Sequence, residues 1–405
     1  MKLSVIGASS VATLQLGIAL DAMSREMAQD QRMELSLYAR DGWRLKAIAD
    51  QVTVLVRDVA TVTSTTSLDD SIFEADVVLV QVRVGGLMAR DFDETFPHRA
   101  GLPGEETLGP GGFANALRTV PVLDVIFSRI TELAPDALVI VLTNPAGIVR
   151  EAASSHGLNV IEVCEAPHAL LSRIAERLDC RMSDLFSHYV GMNHVGFYVP
   201  NDEHEFSRLL DLVPIDAEHV VAYGAVPLAY VRYYVDPNKY FMSQRDHPSR
   251  AQELMALERS AREFLGRGES PDVMSRPAPW YSLAVIPVLQ SMISNERTPL
   301  LVGTSNGGRL CSLPDDVTIE GAATVDRAGV VVTSGLPTVP PLALELLERH
   351  AEYEHLALDA CRDPSESNIV RALRANPMIH EDTPIDELVE ALVDATPVPT
   401  RMGPR

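Results

Sequence analysis

A thiol and a carboxylate stand side by side where an apolar segment of the chain ends. The segment NVIEV stops at Val163, and Cys164, Glu165 and Pro167 follow it. Its β-branched residues predict a short buried strand, which proline ends because it cannot donate to a sheet ladder. In an open α/β sheet, ligands bind at the carboxyl ends of the strands. Cys164 and Glu165 are therefore candidates for metal binding and acid–base chemistry.

A histidine thirty positions further on supplies a second kind of metal donor. His194 lies in GMNHVGF, among small and apolar neighbours. Thiolate and imidazole both bind divalent metals, with a preference for the softer ions. From residue types alone, Cys164 and His194 could form a metal site or be unrelated core residues. The other cysteines, Cys180, Cys311 and Cys361, form no C-x-x-C pair and indicate neither a disulfide framework nor a zinc finger.

The start of the chain carries a turn suited to a dinucleotide. KLSVIG predicts a strand that runs into a turn containing Gly7, Ser9 and Ser10. Glycine permits the tight turn, and the first N–H groups of the next helix suit a pyrophosphate. We predict these three residues as cofactor contacts. The full G-x-G-x-x-G fingerprint is absent, so a plain βα connection remains the alternative.

The second strand ends in LYARD and lacks the acid expected to bind a ribose 2′-hydroxyl. Ala39 occupies the acidic position, and Arg40 follows it. A cation in place of the acid indicates tolerance of a 2′-phosphate and hence of NADP. The alternative is a solvated Arg40, with Asp41 contacting the ribose of NAD.

Short apolar strands alternate with helical patterns through the first 165 residues. This predicts an α/β fold with an N-terminal Rossmann-like, doubly wound parallel sheet. Residues 85–112 carry two double glycines, several charges and little periodicity, and are predicted to form a functional loop. A helix is predicted to begin again at Phe113.

The second half mixes long helical patterns with a few strands near 300–333. It predicts a C-terminal α+β domain packed on the first, the architecture of lactate and malate dehydrogenases. We expect a dinucleotide-binding domain at 1–168, a substrate, metal and oligomerisation domain at 169–395, and a flexible tail at 396–405. The expected helices lie at 251–265, 280–294, 340–360 and 386–392.

Composition narrows the class of protein. The chain has 405 residues, 46% of them hydrophobic, and a formal net charge of −22. The negative charge argues against nucleic acids and anionic membranes as partners. No apolar run approaches the roughly 20 residues that span a bilayer. The first strand begins too close to Met1 to leave room for a signal peptide. We expect a cytoplasmic enzyme.

Six segments resemble one known family when they are taken together and in order. They are QVRVGGLMARDFDE (81–94), GLPGEETLGPGGF (101–113), LTNPAGIV (142–149), VCEAP (163–167), GMNHVGF (191–197) and PLAYVRYY (227–234). The chain resembles glycoside hydrolase family 4, most of all its 6-phospho-β-glucosidase branch. These glycosidases need a nicotinamide cofactor and a divalent metal, and depart from the paired-carboxylate scheme of most glycosidases.

The resemblance implies a redox-assisted elimination. The cofactor takes hydride from C3 of the sugar, and the resulting ketone acidifies the C2 proton. A base removes that proton, the C1–O bond breaks, water adds, and the hydride returns. Cys164 and His194 match the family's ligands for Mn²⁺, and Tyr230 matches the base, with Tyr234 as the alternative. A tyrosine needs a cation to lower its pKa near neutrality, and Arg232 or the metal could serve.

The resemblance also assigns cofactor and substrate contacts. Arginine suits a sugar phosphate because its planar fork donates two parallel hydrogen bonds. Four of the assigned residues could instead have a purely structural role. Gly111 and Gly112 could form a helix-entry turn, Asn144 could form an Asn-Pro turn, and Arg250 could be an exposed residue at the start of a helix. The cofactor residues are Arg83, Gly111, Gly112 and Asn144, and the substrate residues are Arg90, Asn144, Glu165, Asn193 and Arg250.

Two residues depart from the family pattern. Glu165 stands where the 6-phospho-β-glucosidases have asparagine and the 6-phospho-α enzymes have aspartate, and Glu105 replaces a glutamine. Glu165 could be a general acid, a sugar contact or a third metal ligand. The anomer and the phosphate requirement therefore stay open, as does a sugar dehydrogenase, an epimerase or a non-catalytic relative. By analogy, we expect a homodimer or homotetramer that acts on a sugar or sugar phosphate.

Overall fold

Six parallel strands form the N-terminal half of the sheet. The computed structural model describes residues 1–25, 32–269, 271–272, 277–333 and 335–395. The strands run in the spatial order β3-β2-β1-β4-β5-β6, which is the doubly wound order. The predicted α/β class is confirmed. The strands are β1 (Lys2–Ile6), β2 (Met33–Tyr38), β3 (Ala60–Thr65), β4 (Val77–Val80), β5 (Leu138–Val141) and β6 (Asn159–Glu162).

Helices cover both faces of this half, so its central strands are apolar throughout. Val77 and Leu79 of β4 pack into one hydrophobic cluster, whereas Val78 and Val80 pack into another. Successive side chains point to opposite faces of a strand, and both faces here are buried. The helices are α1 (Thr13–Ser24), α2 (Gly42–Leu55), α3 (Leu68–Ile72), α4 (Gly86–Thr95), α5 (Gly109–Leu133), α6 (Ala146–Ser154) and α7 (Glu165–Leu178).

The prediction of a loop over residues 85–112 is wrong. This stretch contains α4 and a 3-10 helix at Phe96–Ala100, and α5 begins at Gly109. Three of the acidic residues in this stretch, Asp93, Glu94 and Glu106, are buried and paired with arginines. Arg118 donates to both oxygens of Asp93, at 3.1 and 2.6 Å. The segment is thus part of the folded core.

The sheet continues beyond β6 with antiparallel strands. The next strands in space are β10, β11, β7, β8 and β9, and β12 pairs with β11, which makes 12 strands in the described residues. The predicted boundary at residue 168 falls inside α7, and the division into two domains stays a prediction. These strands are β7 (Tyr189–Met192), β8 (Val195–Tyr198), β9 (Val226–Pro227), β10 (Thr298–Ser305), β11 (Thr318–Asp326) and β12 (Gly329–Val332).

Further helices surround this second half of the sheet. Those expected at 251–265, 340–360 and 386–392 are confirmed, and the one at 280–294 begins with a π-helical turn at Tyr281–Val285. The predicted tail at 396–405 lies outside the described residues. The helices are α8 (Glu203–Ser207), α9 (Ala217–Tyr223), α10 (Arg232–Val235), α11 (Pro237–Gln244), α12 (Arg250–Gly266), α13 (Ile286–Ser294), α14 (Pro341–Arg362), α15 (Glu366–Ala375) and α16 (Ile385–Ala395).

Within the described part of the chain, every helix is too short or too polar to cross a membrane.

Candidate active site

Cys164 lies where the chain leaves the sheet, as predicted. It caps the N-terminus of α7, and its sulfur accepts a hydrogen bond from the backbone N–H of Ala166 at 3.4 Å. Burial raises the pKa of the thiol, and the charges of Glu165 and Glu320 raise it further. The thiol is therefore neutral by itself. A divalent cation beside it would favour the thiolate.

His194 lies at the tip of the hairpin formed by β7 and β8. Its φ of +67° is in the left-handed region, which residues other than glycine seldom adopt. Such conformations cluster at functional sites. Burial lowers the pKa of His194 to about 4, so the imidazole is neutral, the form that binds metals. Its Nδ1 is buried and has no hydrogen-bond partner among the described residues.

The ring of Tyr230 stacks on the ring of His194. Their centroids are 4.0 Å apart, and the ring planes differ by 5°. Burial raises the pKa of Tyr230, and the charges of Glu105 and Glu165 raise it further. The structure thus brings the predicted base and one predicted ligand into contact. The raised pKa also keeps the phenol protonated, and therefore unable to accept a proton, until a cation is nearby.

Arg232 interacts more strongly with two other tyrosines than with Tyr230. Its guanidinium lies over the rings of Tyr233 and Tyr240, 4.9 and 5.2 Å from their centroids. It also donates to the hydroxyl of Tyr233 at 3.1 Å. Of the two cations suggested for Tyr230, the metal is therefore the better candidate. Tyr234, the alternative base, has its hydroxyl 3.5 Å from Nδ1 of His350.

The donors suit a divalent cation that keeps several coordination positions open. The charge of Glu165 raises the pKa of Cys164, His194 and Tyr230. In the described ranges, no group of three or more His, Cys, Asp or Glu side chains is arranged to bind a metal. A buried thiol and a neutral imidazole with an unpaired nitrogen remain as the two donors. Water and substrate oxygens could complete such a site.

Asn193 and Asn144 lie beside this hairpin. Asn193 Oδ1 accepts from the backbone N–H of Ala146 at 3.2 Å, which fixes the hairpin tip to the start of α6. Asn193 Nδ2 is buried and has no partner within the described ranges. The Asn144 carbonyl accepts from Nδ2 of Asn115 at 3.0 Å, and its side chain is half-buried. Asn193 therefore keeps one donor for a ligand.

Arg83 and Arg90 are both paired with Glu106. Arg90 is largely buried and contacts Glu106 at 2.8 Å and Glu94 at 2.6 Å. Arg83 forms an ion pair with Glu106 from the other side. Both arginines thus have a role in packing. Their contacts with cofactor and sugar stay predictions.

Arg250 lies outside this buried group. It is the first residue of α12, its side chain is 54% exposed, and it pairs with Glu253 at 2.6 Å. Its neighbours hold α12 against α4, since Ser249 donates to Asp91 and the Ala251 N–H donates to Glu94 at 2.7 Å. The structure therefore gives Arg250 the exposed helix-start position, and a phosphate contact stays a prediction.

The turn after β1 lies at the carboxyl edge of the parallel strands. Gly7 has a φ of +98°, and a Cβ there would be 2.9 Å from the carbonyl oxygen of Gln81, so only glycine fits. Ser10 Oγ accepts from the backbone N–H of Ala12 at 3.2 Å. Ser9 and Ser10 are half-buried. The turn has the place and shape that a dinucleotide site requires.

The residues that follow β2 favour Arg40 rather than Asp41 as the group that meets the ribose. Ala39 is buried, whereas Arg40 is exposed. The side chain of Asp41 accepts from the N–H of Arg44 at 3.1 Å and caps α2. Asp41 is therefore engaged in capping, and Arg40 is the charged group at this edge.

Gly111 and Gly112 pack against the chain itself. A Cβ at Gly111 would be 2.2 Å from the carbonyl oxygens of Asp93 and Glu105, and one at Gly112 would be 2.1 Å from that of Thr107. Protein packing alone requires glycine at both positions. Their contact with a nicotinamide stays a prediction.

A family profile described as "Family 4 glycosyl hydrolase" matches residues 2–180, and the profile of the family's C-terminal domain matches residues 189–379. The chain belongs to glycosyl hydrolase family 4. It is therefore a glycosidase by family, and the predicted resemblance is confirmed.

Relatives in family 4 match the chain along most or all of its length. A 6-phospho-β-glucosidase of Thermotoga maritima is 29% identical over 420 positions, which cover 100% of both chains. A 6-phospho-β-glucosidase of Escherichia coli is 26% identical over 80% of this chain and 79% of that protein. A solved structure of the T. maritima enzyme with manganese, NAD⁺ and glucose 6-phosphate has a TM-score of 0.85 at 27% identity and covers 98% of each chain.

Glu105, one of the two departures from the family 4 pattern, has a structural role in this chain. Its Oε2 accepts from the N–H groups of Thr107 and Leu108, at 2.6 and 3.0 Å, just before α5. The negative charge of Glu105 also raises the pKa of Tyr230. The substitution therefore makes the predicted base harder to ionise than a neutral glutamine would.

Sequence reasoning missed a group of buried carboxyls beneath this family 4 site. Glu162 and Glu320 are fully or almost fully buried, and the hydroxyl of Tyr189 donates to Glu320 at 2.7 Å. Burial raises the pKa of Glu162 to about 8. The available signal was a single glutamate within an otherwise apolar strand, in NVIEV and in TIEGAATV. Such a residue is rarely buried unless it has partners.

Proposed function

We propose that the chain is a cytosolic glycosidase that depends on a nicotinamide cofactor and a divalent metal and hydrolyses a 6-phospho-β-glucoside. The observation that carries the proposal is the stacking of Tyr230 on His194 beside Cys164. The full-length similarity to the 6-phospho-β-glucosidase of T. maritima supports the substrate class. We further expect a homodimer or homotetramer, which sedimentation analysis can test.

Cys164 and His194 would hold the cation, and Tyr230 would remove the C2 proton. When bound, the nicotinamide cofactor would supply a hydride acceptor for C3 of the sugar, and the divalent metal would supply a Lewis acid for the sugar oxygens. Tyr230 must be a phenolate to accept the proton, and a cation held by its stacked neighbour would lower its pKa. Asn193 Nδ2, buried and without a described partner, would donate to a sugar or cofactor oxygen.

Glu165 would protonate the leaving glycosidic oxygen. It follows Cys164 directly, is half-buried, and acts on the pKa of both Cys164 and Tyr230. A role limited to binding a sugar hydroxyl remains the alternative.

The turn at Gly7 would hold the pyrophosphate of NAD, and Arg40 would also admit NADP. The conformation of the turn and its place at the sheet edge support this. Asp41 caps α2, which leaves Arg40 to meet a 2′-phosphate.

The direct test is a panel of nitrophenyl α- and β-glucosides, with and without the 6-phosphate, crossed with NAD⁺ and NADP⁺ in the presence of Mn²⁺ and a reductant. We expect turnover of the 6-phospho-β-glucoside only, and solvent deuterium at C2 of the product. Absence of turnover on the whole panel would overturn the proposal. Accumulation of reduced cofactor with an intact glycosidic bond would instead indicate a dehydrogenase.

A further inference from the structure

Tyr189 lies at the base of the hairpin that carries His194. Tyr189 begins β7 and is fully buried, and its hydroxyl donates to Oε2 of Glu320 at 2.7 Å. Glu320 belongs to β11 and stands opposite Gly191 of β7 in antiparallel register. The hydrogen bond therefore ties the hairpin to the neighbouring strand.

Two glycines of the hairpin make room for this hydroxyl. A Cβ at Gly196 would lie 2.0 Å from the Tyr189 oxygen, and one at Gly191 would lie 2.8 Å from it. The two glycines face each other across β7 and β8. One further residue pair, Met192 with Val195, separates them from the turn that contains His194. Because protein interiors are close-packed, a larger residue at either position would displace the phenol. The hairpin is thus built around the Tyr189 hydroxyl.

The same carboxyl reaches the strand that ends at Cys164. Glu320 interacts electrostatically with Glu162, the last residue of β6, and with Cys164 itself. Glu162 is held in place by Gly303 of β10, where a Cβ would be only 2.0 Å from Glu162 Cγ. Tyr189, Glu320 and Glu162 therefore connect the two segments that carry the predicted metal ligands.

We propose that Tyr189 and Glu320 are positioning residues for the metal centre, because their hydrogen bond holds the hairpin so that His194 faces Cys164. The inference rests on the proposed function, since it presupposes a cation on these two ligands. Neither residue is assigned a contact with substrate, cofactor or metal. Groups that orient metal ligands typically change metal affinity by about 10–100-fold when they are removed.

The hairpin provides a matched control. Tyr198 is the cross-strand partner of Tyr189 and is equally buried. Its hydroxyl also donates to a carboxylate, that of Glu205, at 2.5 Å. Tyr189→Phe and Tyr198→Phe each remove one tyrosine–glutamate hydrogen bond from the same hairpin. Only the first of these bonds leads toward Cys164.

The experiment measures Mn²⁺ binding to the reduced full-length chain by loss of the free Mn²⁺ electron paramagnetic resonance signal. We expect Tyr189→Phe to weaken binding by about tenfold or more. Tyr198→Phe should bind within about threefold of wild type, and so should Glu320→Gln, which keeps an acceptor for Tyr189. NAD⁺ affinity, followed by fluorescence, should stay unchanged in all three variants.

Each alternative outcome has its own meaning. Equal Mn²⁺ affinity in wild type and Tyr189→Phe would overturn the positioning role, and equal losses in Tyr189→Phe and Tyr198→Phe would reduce it to general hairpin stability. A wild-type chain that binds no Mn²⁺ would overturn the proposed metal centre instead. If Tyr189→Phe does not fold, Glu320→Ala removes the acceptor with the phenol in place and should show the same loss of affinity.

Discussion

The imidazole of His194 and the phenol of Tyr230 lie face to face, with centroids 4.0 Å apart and planes 5° from parallel. Charge bound at His194 therefore acts on Tyr230 at short range. This matters because burial and the charges of Glu105 and Glu165 hold the pKa of Tyr230 above its usual range. A positive charge close to the phenol would reverse that shift.

Tyr230→Phe should remove the base and keep the stacked ring. We expect turnover to fall by about 10²–10⁴-fold, the usual contribution of a general base. Solvent deuterium should also no longer appear at C2. Tyr234→Phe, which alters the alternative base, should keep most activity. If Tyr234→Phe loses activity and Tyr230→Phe keeps it, the assignment of the base is reversed.

Arg90→Ala should destabilise the fold far more than Arg250→Ala. Arg90 is largely buried between Glu94 and Glu106, and its removal leaves buried Glu94 without its ion-pair partner and Glu106 with Arg83 alone. Breaking a buried pair costs about 3–5 kcal/mol, whereas an exposed pair such as Arg250–Glu253 contributes about 0–1 kcal/mol. Urea unfolding monitored by circular dichroism gives both values. Similar losses in the two variants would contradict the prediction.

The Arg250→Ala variant also tests whether Arg250 contacts the phosphate of the substrate. If Arg250 grips a phosphate, Arg250→Ala weakens the apparent affinity for phosphorylated glucosides and leaves that for unphosphorylated glucosides unchanged. Steady-state kinetics on both kinds of glucoside measures the difference. An unchanged Michaelis constant for the phosphorylated glucosides would leave Arg250 as an exposed residue at the start of α12.

Buried carboxyls should make the chain less stable as the pH rises. Burial raises the pKa of both Glu151 and Glu354 to about 8 from an ordinary value of 4.5. Because the folded-state pKa is the higher one, their contribution to stability is complete below about pH 4.5 and is lost as the pH rises through about 8. The free energy of unfolding should therefore fall between about pH 4.5 and 8, by up to about 1.4 kcal/mol per pH unit for each carboxyl.

Glu354→Gln tests this pH dependence, with urea unfolding in the presence of a chelator so that metal binding does not contribute. The variant should show a shallower decline than wild type. Glu352→Gln, an exposed position on the same helix α14, should leave the decline unchanged. An identical slope in Glu354→Gln and wild type would refute the assignment of the titration to Glu354.

The alternation of strands and helices was predictable because the central parallel strands are apolar on both faces, as β4 and β5 show. The helix α4 was not predictable from the same rules. Its charges look solvent-exposed in the sequence, yet Asp93 pairs with Arg118, 25 positions away. Local periodicity carries no information about partners that distant.

In the candidate site too, some features were predictable from local sequence and others depend on contacts between distant residues. Cys164 was predictable from a local signal, the end of a strand before proline. The pair formed by Tyr189 and Glu320 was not, because the two residues are 131 positions apart and meet only when β7 and β11 pair. Stacking of Tyr230 on His194 likewise depends on the tertiary fold. The family resemblance named both residues, but only the structure relates them.

Arg40 should determine whether the chain accepts NADP. Ala39 provides no carboxylate to bind a 2′-hydroxyl or repel a 2′-phosphate, and the carboxylate of Asp41 caps α2. A hydrogen bond to a charged group contributes about 1.5–3 kcal/mol, which corresponds to roughly 10–100-fold in affinity. Arg40→Ala should therefore weaken NADP⁺ binding by that factor and leave NAD⁺ binding within about threefold.

Titration of each cofactor by tryptophan fluorescence or calorimetry measures these constants without any need for turnover. Lys46→Ala is the control, because Lys46 is a cation of α2 that already pairs with Asp50 at 2.9 Å. It should change neither affinity. A loss of NAD⁺ and NADP⁺ binding to the same extent in Arg40→Ala would mean that Arg40 contacts a part common to both cofactors. In that case the 2′-position would be recognised by another residue, and the absence of an acid at Ala39 would not determine cofactor choice.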